Sequence, residues 1–351
     1  EFRFRDRRPS RDAGAFLQDH FRFGNLVVDV GMRFDYYRLL VQDSAISPRL
    51  AAAYYWQPGD LVIRGGYDRI FQTPAIENLL LSSSAQAQNL RGVEGGLPVP
   101  LSRADFFEIG LRKSLADLLR IEVNHFWREM ENFYDDDVFL NTGVSLPISF
   151  DRAAIEGTEV RIELPRYGPV SSFISYSNLR GRATSPVTGG LFVEGGEGEQ
   201  LHGVVTTFPI SQDQRNTVSA QFRFEPHSRI WFALGGRYGS GLPVELQLEP
   251  PAETAEQDSP RNAGAGEGPP VMIPRAVLNR VDFARGRVRP NFSLDFSLGV
   301  GLWQRDHRSL RLQVDVLNAS DRLNLINFSG LFSGTAIAPS RTIGARLRMV
   351  L

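Results

Sequence analysis

Hydrophobic and polar residues alternate along much of the chain. In Asn291–Trp303, apolar side chains occupy every second position from Leu294 to Leu302, and serine, aspartate and glycine fill the positions between them. Because successive side chains of a β-strand point to opposite faces, such a stretch predicts a strand with one apolar and one polar face. The pattern predicts fourteen strands, at residues 1–6, 12–23, 25–37, 47–56, 60–71, 104–113, 119–133, 152–164, 169–180, 211–224, 229–241, 289–303, 308–318 and 339–351.

The connections between these strands alternate in length. The short ones are Phe23–Asn25, Trp56–Asp60, Ser114–Leu118, Leu164–Pro169, Glu225–Ser228 and Trp303–His307. The long ones include Gln72–Arg103, Tyr134–Asp151, Gly181–Ile210, Leu242–Val288 and Asp321–Ala338. Outer-membrane barrels have short periplasmic turns and long extracellular loops. The sequence therefore predicts an all-β, antiparallel, up-and-down transmembrane β-barrel, and most predicted strands reach the roughly 9–11 residues that a tilted spanning strand needs.

The composition agrees with this prediction and excludes other classes. The 351 residues carry a formal net charge of −1, so there is no basic field for nucleic acid. The chain has no cysteine and no apolar run approaching the roughly 20 residues of a spanning helix. Aromatic residues lie near both ends of the predicted strands, such as Trp56 and Trp303 beside short turns and Tyr37 and Tyr134 toward long loops. Two aromatic girdles are typical of a membrane barrel.

The polar faces of the predicted strands carry the candidate residues for contact with a solute. These lumen-facing charges are Asp29, Arg33, Arg64, Asp68, Arg112, Arg161, Asp295, Arg311, Asp315, Arg346 and Arg348. In a barrel they either contact a polar solute or pair with one another as the water-facing wall. Of these two interpretations the structural wall is the simpler.

Two other groups of residues suggest different chemistry. Asp135, Asp136 and Asp137 are predicted in an extracellular loop, where carboxylates can hold a divalent cation, although three successive aspartates without glycine are not a recognised calcium loop. Asp19–His20 and Asp306–His307 suggest catalytic pairs, but neighbours on a strand point to opposite faces, and the second pair is predicted in a periplasmic turn. We therefore predict no catalytic residue, no metal site and no cofactor, and we expect that the chain is not an enzyme.

Seven short phrases, in order along the chain, resemble one family. They are Phe16–Phe21, Ile46–Leu50, Tyr67–Pro74 followed by Glu77, Ile155–Glu159, Tyr238–Pro243, Val316–Asp321 and Pro339–Gly344. Each is weak alone, but together they resemble the C-terminal barrel portion of TonB-dependent outer-membrane receptors, especially the Oar-like group with carboxypeptidase-regulatory-like N-terminal modules. Within the second phrase, Pro48 is expected among the first residues of a strand, where a missing N–H costs least.

The resemblance implies a location in the bacterial outer membrane and a function in transport. Such receptors have 22-stranded barrels with a plugged lumen. Residues 1–351 would supply about fourteen of these strands, without the plug domain or a signal peptide. The intact receptor would take up a scarce solute, such as a siderophore, a cobalamin-like chelate, an oligosaccharide or a peptide. Its partners would be outer-membrane lipid, the plug domain, the TonB system and the small solute.

Other functions stay open from the sequence. The main alternative is a self-contained, 14-stranded passive porin or hydrophobe channel, because bacterial barrels have even strand numbers from 8 upward. The short and highly charged segment at residues 1–6 is a poor closing partner for the last strand, which argues against this alternative. An outer-membrane enzyme and a soluble β-rich adhesin are less favoured.

Overall fold

The computed structural model describes residues 7–73, 80, 99–116, 118–138, 145–189, 206–244, 273–305, 308–328 and 335–350. The main strands are β1 (Arg11–Phe23), β2 (Leu26–Arg38), β3 (Gln42–Trp56), β4 (Leu61–Gln72), β5 (Ser102–Leu115), β6 (Leu119–Val138), β7 (Ser145–Tyr167), β8 (Val170–Gly189), β10 (Asn216–His227), β11 (Ile230–Gly239), β14 (Asn291–Arg305), β15 (Arg308–Leu317) and β18 (Thr342–Val350). The shorter elements are a 3₁₀ turn (Gln57–Gly59), β9 (Thr207–Pro209), α1 (Arg275–Leu278), β12 (Val281–Asp282), β13 (Arg287–Val288), β16 (Leu325–Asn327) and β17 (Ala336–Ile337).

The main strands follow one another in a single sheet. Its order is β1-β2-β3-β4-β5-β6-β7-β8-β10-β11-β14-β15-β18, and β9 pairs with β8 as the fourteenth strand. Thirteen of the fourteen predicted strands correspond to these main strands, and the other prediction, residues 1–6, lies outside the described residues. The all-β, antiparallel, up-and-down architecture predicted from the alternation is thus confirmed. Among the described residues no helix has the length and apolar character that crossing a membrane requires.

The turns at one end of the strands are tight. Gly24 and Gly168 each adopt a positive φ, of 59° and 57°, which glycine reaches without the steric cost that a Cβ would add. We call this the short-turn end and the opposite one the long-connection end. The β2–β3 turn is an exception to the alternation, because it joins its strands at the long-connection end with only three residues, Leu39–Val41.

Several strands continue beyond their apolar patterns. β6 extends to Val138, so Asp135, Asp136 and Asp137 are in a strand and not in the loop predicted between Tyr134 and Asp151. The loop prediction was wrong here because backbone N–H and C=O groups pair between strands whatever side chains they carry. A strand therefore does not have to end where its apolar face ends.

The chain divides into two compact units, each with its own core. One unit comprises residues 1–113, 123–158 and 179–213, and the other comprises residues 114–122, 159–178 and 214–351. In the first, the buried Phe150 stacks on Phe133 with 6.0 Å between ring centroids and meets Phe208 edge-on at 5.1 Å. The core of the second is formed by Val244, Val277, Val281, Val288, Leu325 and Phe328. Both cores lie at long-connection ends of strands.

Along the strands, by contrast, large apolar side chains are exposed. Leu17 is 79% exposed, Ile343 71% and Leu347 63%. A soluble monomer rarely leaves so many apolar side chains in contact with water. A membrane barrel does so by design, because its outward apolar band contacts lipid.

Candidate functional site

On the polar face of β1 and β2, two of the predicted lumen-facing residues, Arg33 and Asp29, contact polar partners. Arg33 donates from Nε and Nη2 to the carboxylate of Asp35, two positions along the same strand, at 2.8–2.9 Å. His20 lies opposite Asp29 in the β1–β2 register, with 2.7 Å between Nδ1 and Oδ1. The histidine imidazole is therefore paired across strands and not with the carboxylate of Asp19, as the alternation of faces requires.

The same face continues onto β3, β4 and β5. Arg49 lies opposite Asp68, with 3.1 Å between Nε and Oδ1. Arg64, four positions before Asp68, donates from Nη2 to Asn124 Oδ1 at 2.7 Å. Arg112 lies opposite Val62, two positions from Arg64, and so shares this face. Three more predicted residues are thus brought together on one polar surface of the first unit.

In the second unit, Asp295 forms the most extensive hydrogen-bonded group among the predicted residues. Its Oδ2 accepts from Arg237 Nη2 at 2.9 Å, and its Oδ1 accepts from Ser293 Oγ at 2.9 Å and from the backbone N–H of Asn318 at 2.8 Å. Asn318 has a positive φ of 48° and begins the turn after β15. Asp295 therefore joins the polar face of β14 to the connection that follows β15.

Asp315 and Arg311 occupy the polar face of β15. Asp315 Oδ1 accepts from Ser297 Oγ at 2.6 Å and from Gln313 Nε2 at 2.9 Å. Arg311 lies opposite Arg348 of β18, so these two like charges face each other near the short-turn end. Arg346 lies opposite Gln313 in the same register.

Arg161 of β7 is held by a carboxylate and an aromatic ring. Its Nε lies 3.5 Å from Glu163 Oε2, and its guanidinium lies over the ring of Phe173, 4.5 Å from the centroid. Apart from the facing arginines Arg311 and Arg348, the predicted lumen-facing charges described above with a partner fit a water-facing wall, the simpler of the two interpretations of the polar face. That any of these residues contacts a solute stays a prediction.

In the acidic cluster, Asp135 accepts a hydrogen bond from a serine. Ser211 Oγ donates to Asp135 Oδ2 at 2.5 Å. The side chains of Asp136 and Asp137 lie outside the described part of the structure, as do Asp306 and His307. Within the described ranges no group of three His, Cys, Asp or Glu residues is placed to hold a metal ion.

A cleft between β3 and β4 was not predicted from the sequence. β3 pairs with β2 from Gln42 onward, whereas its pairing with β4 begins only at Arg49, directly after Pro48. Pro48 is thus the seventh residue of β3 and not among its first, but it stands where pairing with β4 begins, consistent with its missing N–H. The cleft beyond it has a volume of about 330 Å³ and is crossed by the ion pair of Arg103 with Asp43, at 2.5 Å. A proline inside an alternating stretch is the signal that could have indicated it.

The model of a family described as TonB dependent receptor-like, beta-barrel, matches residues 2–319. No curated protein matches the chain. The solved structures similar to it include the outer membrane transporter YddB from Escherichia coli (15% identity, TM-score 0.61, 96% of this chain and 44% of that one) and the FrpB iron transporter from Neisseria meningitidis, F5-1 variant (13%, 0.62, 96% and 45%).

A third similar structure is the ferric citrate transporter FecA in its unliganded form, at 16% identity and a TM-score of 0.59, with 97% of this chain and 45% of that chain covered. At these identities the likeness shows the fold alone. The chain spans less than half the length of each of the three proteins.

Proposed function

Because the chain belongs to the TonB-dependent receptor-like β-barrel family, a family of outer-membrane transport proteins, we propose that it is the barrel portion of a receptor that takes up a scarce solute. The observation that carries this proposal is the opposition of two faces on the same strands. In β14, Asp295 and Ser297 are hydrogen-bonded on the polar face, while Leu298 on the other face is 47% exposed. Lipid would cover the apolar face, and water and solute would meet the polar one.

We further propose that the long-connection end faces the outside of the cell and carries the solute-binding surface. The connections after β11 and β15 are folded around a core there. Binding loops positioned by a rigid scaffold are a common arrangement. The candidate solutes are a siderophore, a cobalamin-like chelate, an oligosaccharide and a peptide, and the partners of the intact receptor are a plug domain and TonB.

The edge strands favour a larger barrel over a self-contained channel. Among the described residues, β1 pairs with β2 alone and β18 with β15 alone, and every described side chain of both strands is exposed. Unpaired backbone groups cost several kcal/mol each in lipid. Additional strands outside residues 1–351 would satisfy them.

The test uses the native protein extracted from outer membranes of its source bacterium. Its mass and N-terminal sequence are measured, and the extract is passed over the immobilised periplasmic domain of TonB from the same organism, with a porin from the same membranes as the control. We expect a mature chain longer than 351 residues. We expect the TonB column to retain this protein and not the porin. A folded chain beginning near Glu1, not retained and conducting ions in planar bilayers, would contradict the proposal and favour the passive channel.

A further inference from the structure

The two long connections of the second unit form one folded cap. The connection between β11 and β14 supplies Val277, Val281 and Val288, and the one between β15 and β18 supplies Leu325 and Phe328, all buried in a single apolar cluster. Asn291 Nδ2 donates to Leu325 O at 2.6 Å, and the Asn324 side chain bonds the backbone of β14. The backbone of this cap is therefore held in place by both its core and its hydrogen bonds to β14.

Two guanidinium groups of the cap share one backbone oxygen. Arg280 Nη2 donates to Pro290 O at 2.5 Å, and Arg322 Nη2 donates to the same oxygen at 3.1 Å. Arg280 Nη2 also lies 3.3 Å from the carbonyl oxygen of Arg289 and 3.4 Å from Asn291 Oδ1. Arg280 is half-buried, and Arg289 and Arg322 are exposed. We refer to Arg280, Arg289 and Arg322 as the arginine cluster.

The arginine cluster has no carboxylate partner in the described part of the chain. The nearby ion pairs join other residues, with Arg285 bound to Asp282 at 3.7 Å and Arg341 bound to Asp321 at 3.8 Å. The Nε atom of Arg280 is buried without a hydrogen-bond partner. Burial lowers the pKa of Arg280, and the positive charges of Arg322 and Arg289 lower it further. An anion bound beside these guanidinium groups would offset their positive charge.

The position of Asn291 shows which side of the sheet the cluster serves. Asn291 begins β14 and, by alternation, shares a face with Ser293 and Asp295, whereas Phe292 belongs to the opposite, apolar face. Arg280 contacts the Asn291 side chain and so lies on the polar-face side. The cluster is therefore placed to meet a solute and not the lipid that would cover the apolar face.

We propose that Arg280, Arg289 and Arg322 form a binding site for an anionic solute, one that carries carboxylate or phosphate groups. Guanidinium groups bind both kinds of anion through paired, charge-assisted hydrogen bonds. Arg289 and Arg322 are exposed and would contact the anion directly. The half-buried Arg280 would add positive charge to the site and position Pro290 and Asn291 through its hydrogen bonds. This inference rests on the proposed function only for the statement that the bound anion is the transported solute.

The experiment measures anion binding to the intact protein in detergent, purified free of lipopolysaccharide. The probes are inositol hexakisphosphate as a multivalent anion and maltoheptaose as a neutral solute, both followed by isothermal titration calorimetry. The double variant Arg289→Ala/Arg322→Ala tests the cluster. The matched control, Arg285→Ala/Arg305→Ala, removes the same charge at two sites outside it, and the double lysine variant of the cluster retains the charge. Gel mobility without heating reports whether each variant is folded.

We expect wild-type protein to bind the anion and not the neutral sugar, with an affinity that falls steeply with added salt. The alanine variant should weaken binding at least tenfold, the lysine variant less, and the control variant by no more than twofold. No binding of the anion to wild type, or equal weakening in the cluster and control variants, would overturn the proposal. The proposal would also be overturned if the alanine variant, extracted without removing lipopolysaccharide, carried less lipopolysaccharide than wild type but bound the soluble anion equally well. That result would assign the cluster to a lipid headgroup.

The binding measurement separates this inference from the proposed function. Titration in detergent requires neither TonB nor an energised membrane. Anion binding through the cluster in a protein that TonB does not retain would support the site and contradict the receptor. Retention by TonB without anion binding would support the receptor and contradict the anion-binding site.

Discussion

The carboxylate of Asp295 holds the turn that follows β15, and its removal should open that turn locally. Substitution Asp295→Ala deletes the acceptors for Ser293 Oγ, Arg237 Nη2 and the backbone N–H of Asn318. Asn318 is only 5% exposed, so its unpaired N–H would cost about 1–3 kcal/mol. The Arg237 side chain is 67% exposed, and we therefore assign its ion pair less than about 1 kcal/mol.

Together these losses lower the free energy of local opening by about 1–4 kcal/mol. The assay is native-state hydrogen exchange with mass spectrometry on the intact protein, comparing peptides that cover residues 318–328 with the β1–β2 hairpin as an internal reference. Exchange in the turn should accelerate roughly 5- to 700-fold, since each 1.4 kcal/mol is a factor of ten.

The matched variant Asp295→Asn keeps an oxygen acceptor for Asn318 and Ser293 but loses the charge that Arg237 binds. We expect it to cost less than about 1 kcal/mol and to accelerate exchange by no more than roughly fivefold. Exchange in Asp295→Ala within twofold of wild type would refute the reasoning, because the turn would then be held without this carboxylate.

Two further predictions concern strand packing. A Cβ on Gly299 would lie 2.1 Å from Trp231 Nε1, so Gly299→Ala should displace the indole and shift its fluorescence. The same substitution should destabilise the protein by about 1–3 kcal/mol in equilibrium unfolding. The control Gly236→Ala, with nothing within 4 Å of its Cβ, should have neither effect, and equal effects of the two substitutions would contradict the packing argument. The partly buried ion pair of Arg103 and Asp43 should show a coupling energy of about 1 kcal/mol in a double-mutant cycle of unfolding. If the effects of the two single substitutions are strictly additive, the ion pair contributes nothing to stability across the β3–β4 cleft.

The strands of this protein were predictable because their environment imposes a strict pattern. A slip of one residue would move the apolar set of a strand such as β14 to the polar face, so the alternation specifies the register strongly. Thirteen predicted strands correspond to the main strands for this reason. The same rule excluded Asp19–His20 as a pair, although the actual partner of His20, Asp29, becomes evident only from the β1–β2 register.

The structure of the chain beyond the apolar band could be known only from the tertiary structure. There the alternation stops, so the sequence predicted a loop at Asp135–Asp137, although β6 continues through these residues because its backbone pairs with a neighbouring strand. The polar face was predictable as a set of residues, but its pairings were not, because they depend on which strands become neighbours. Arg280, Arg289 and Arg322 show this most clearly. They come from two separate connections and carry no common spacing. Only the folding of both connections around one apolar core brings the guanidinium groups of Arg280 and Arg322 together on the carbonyl of Pro290, next to Arg289 in the chain.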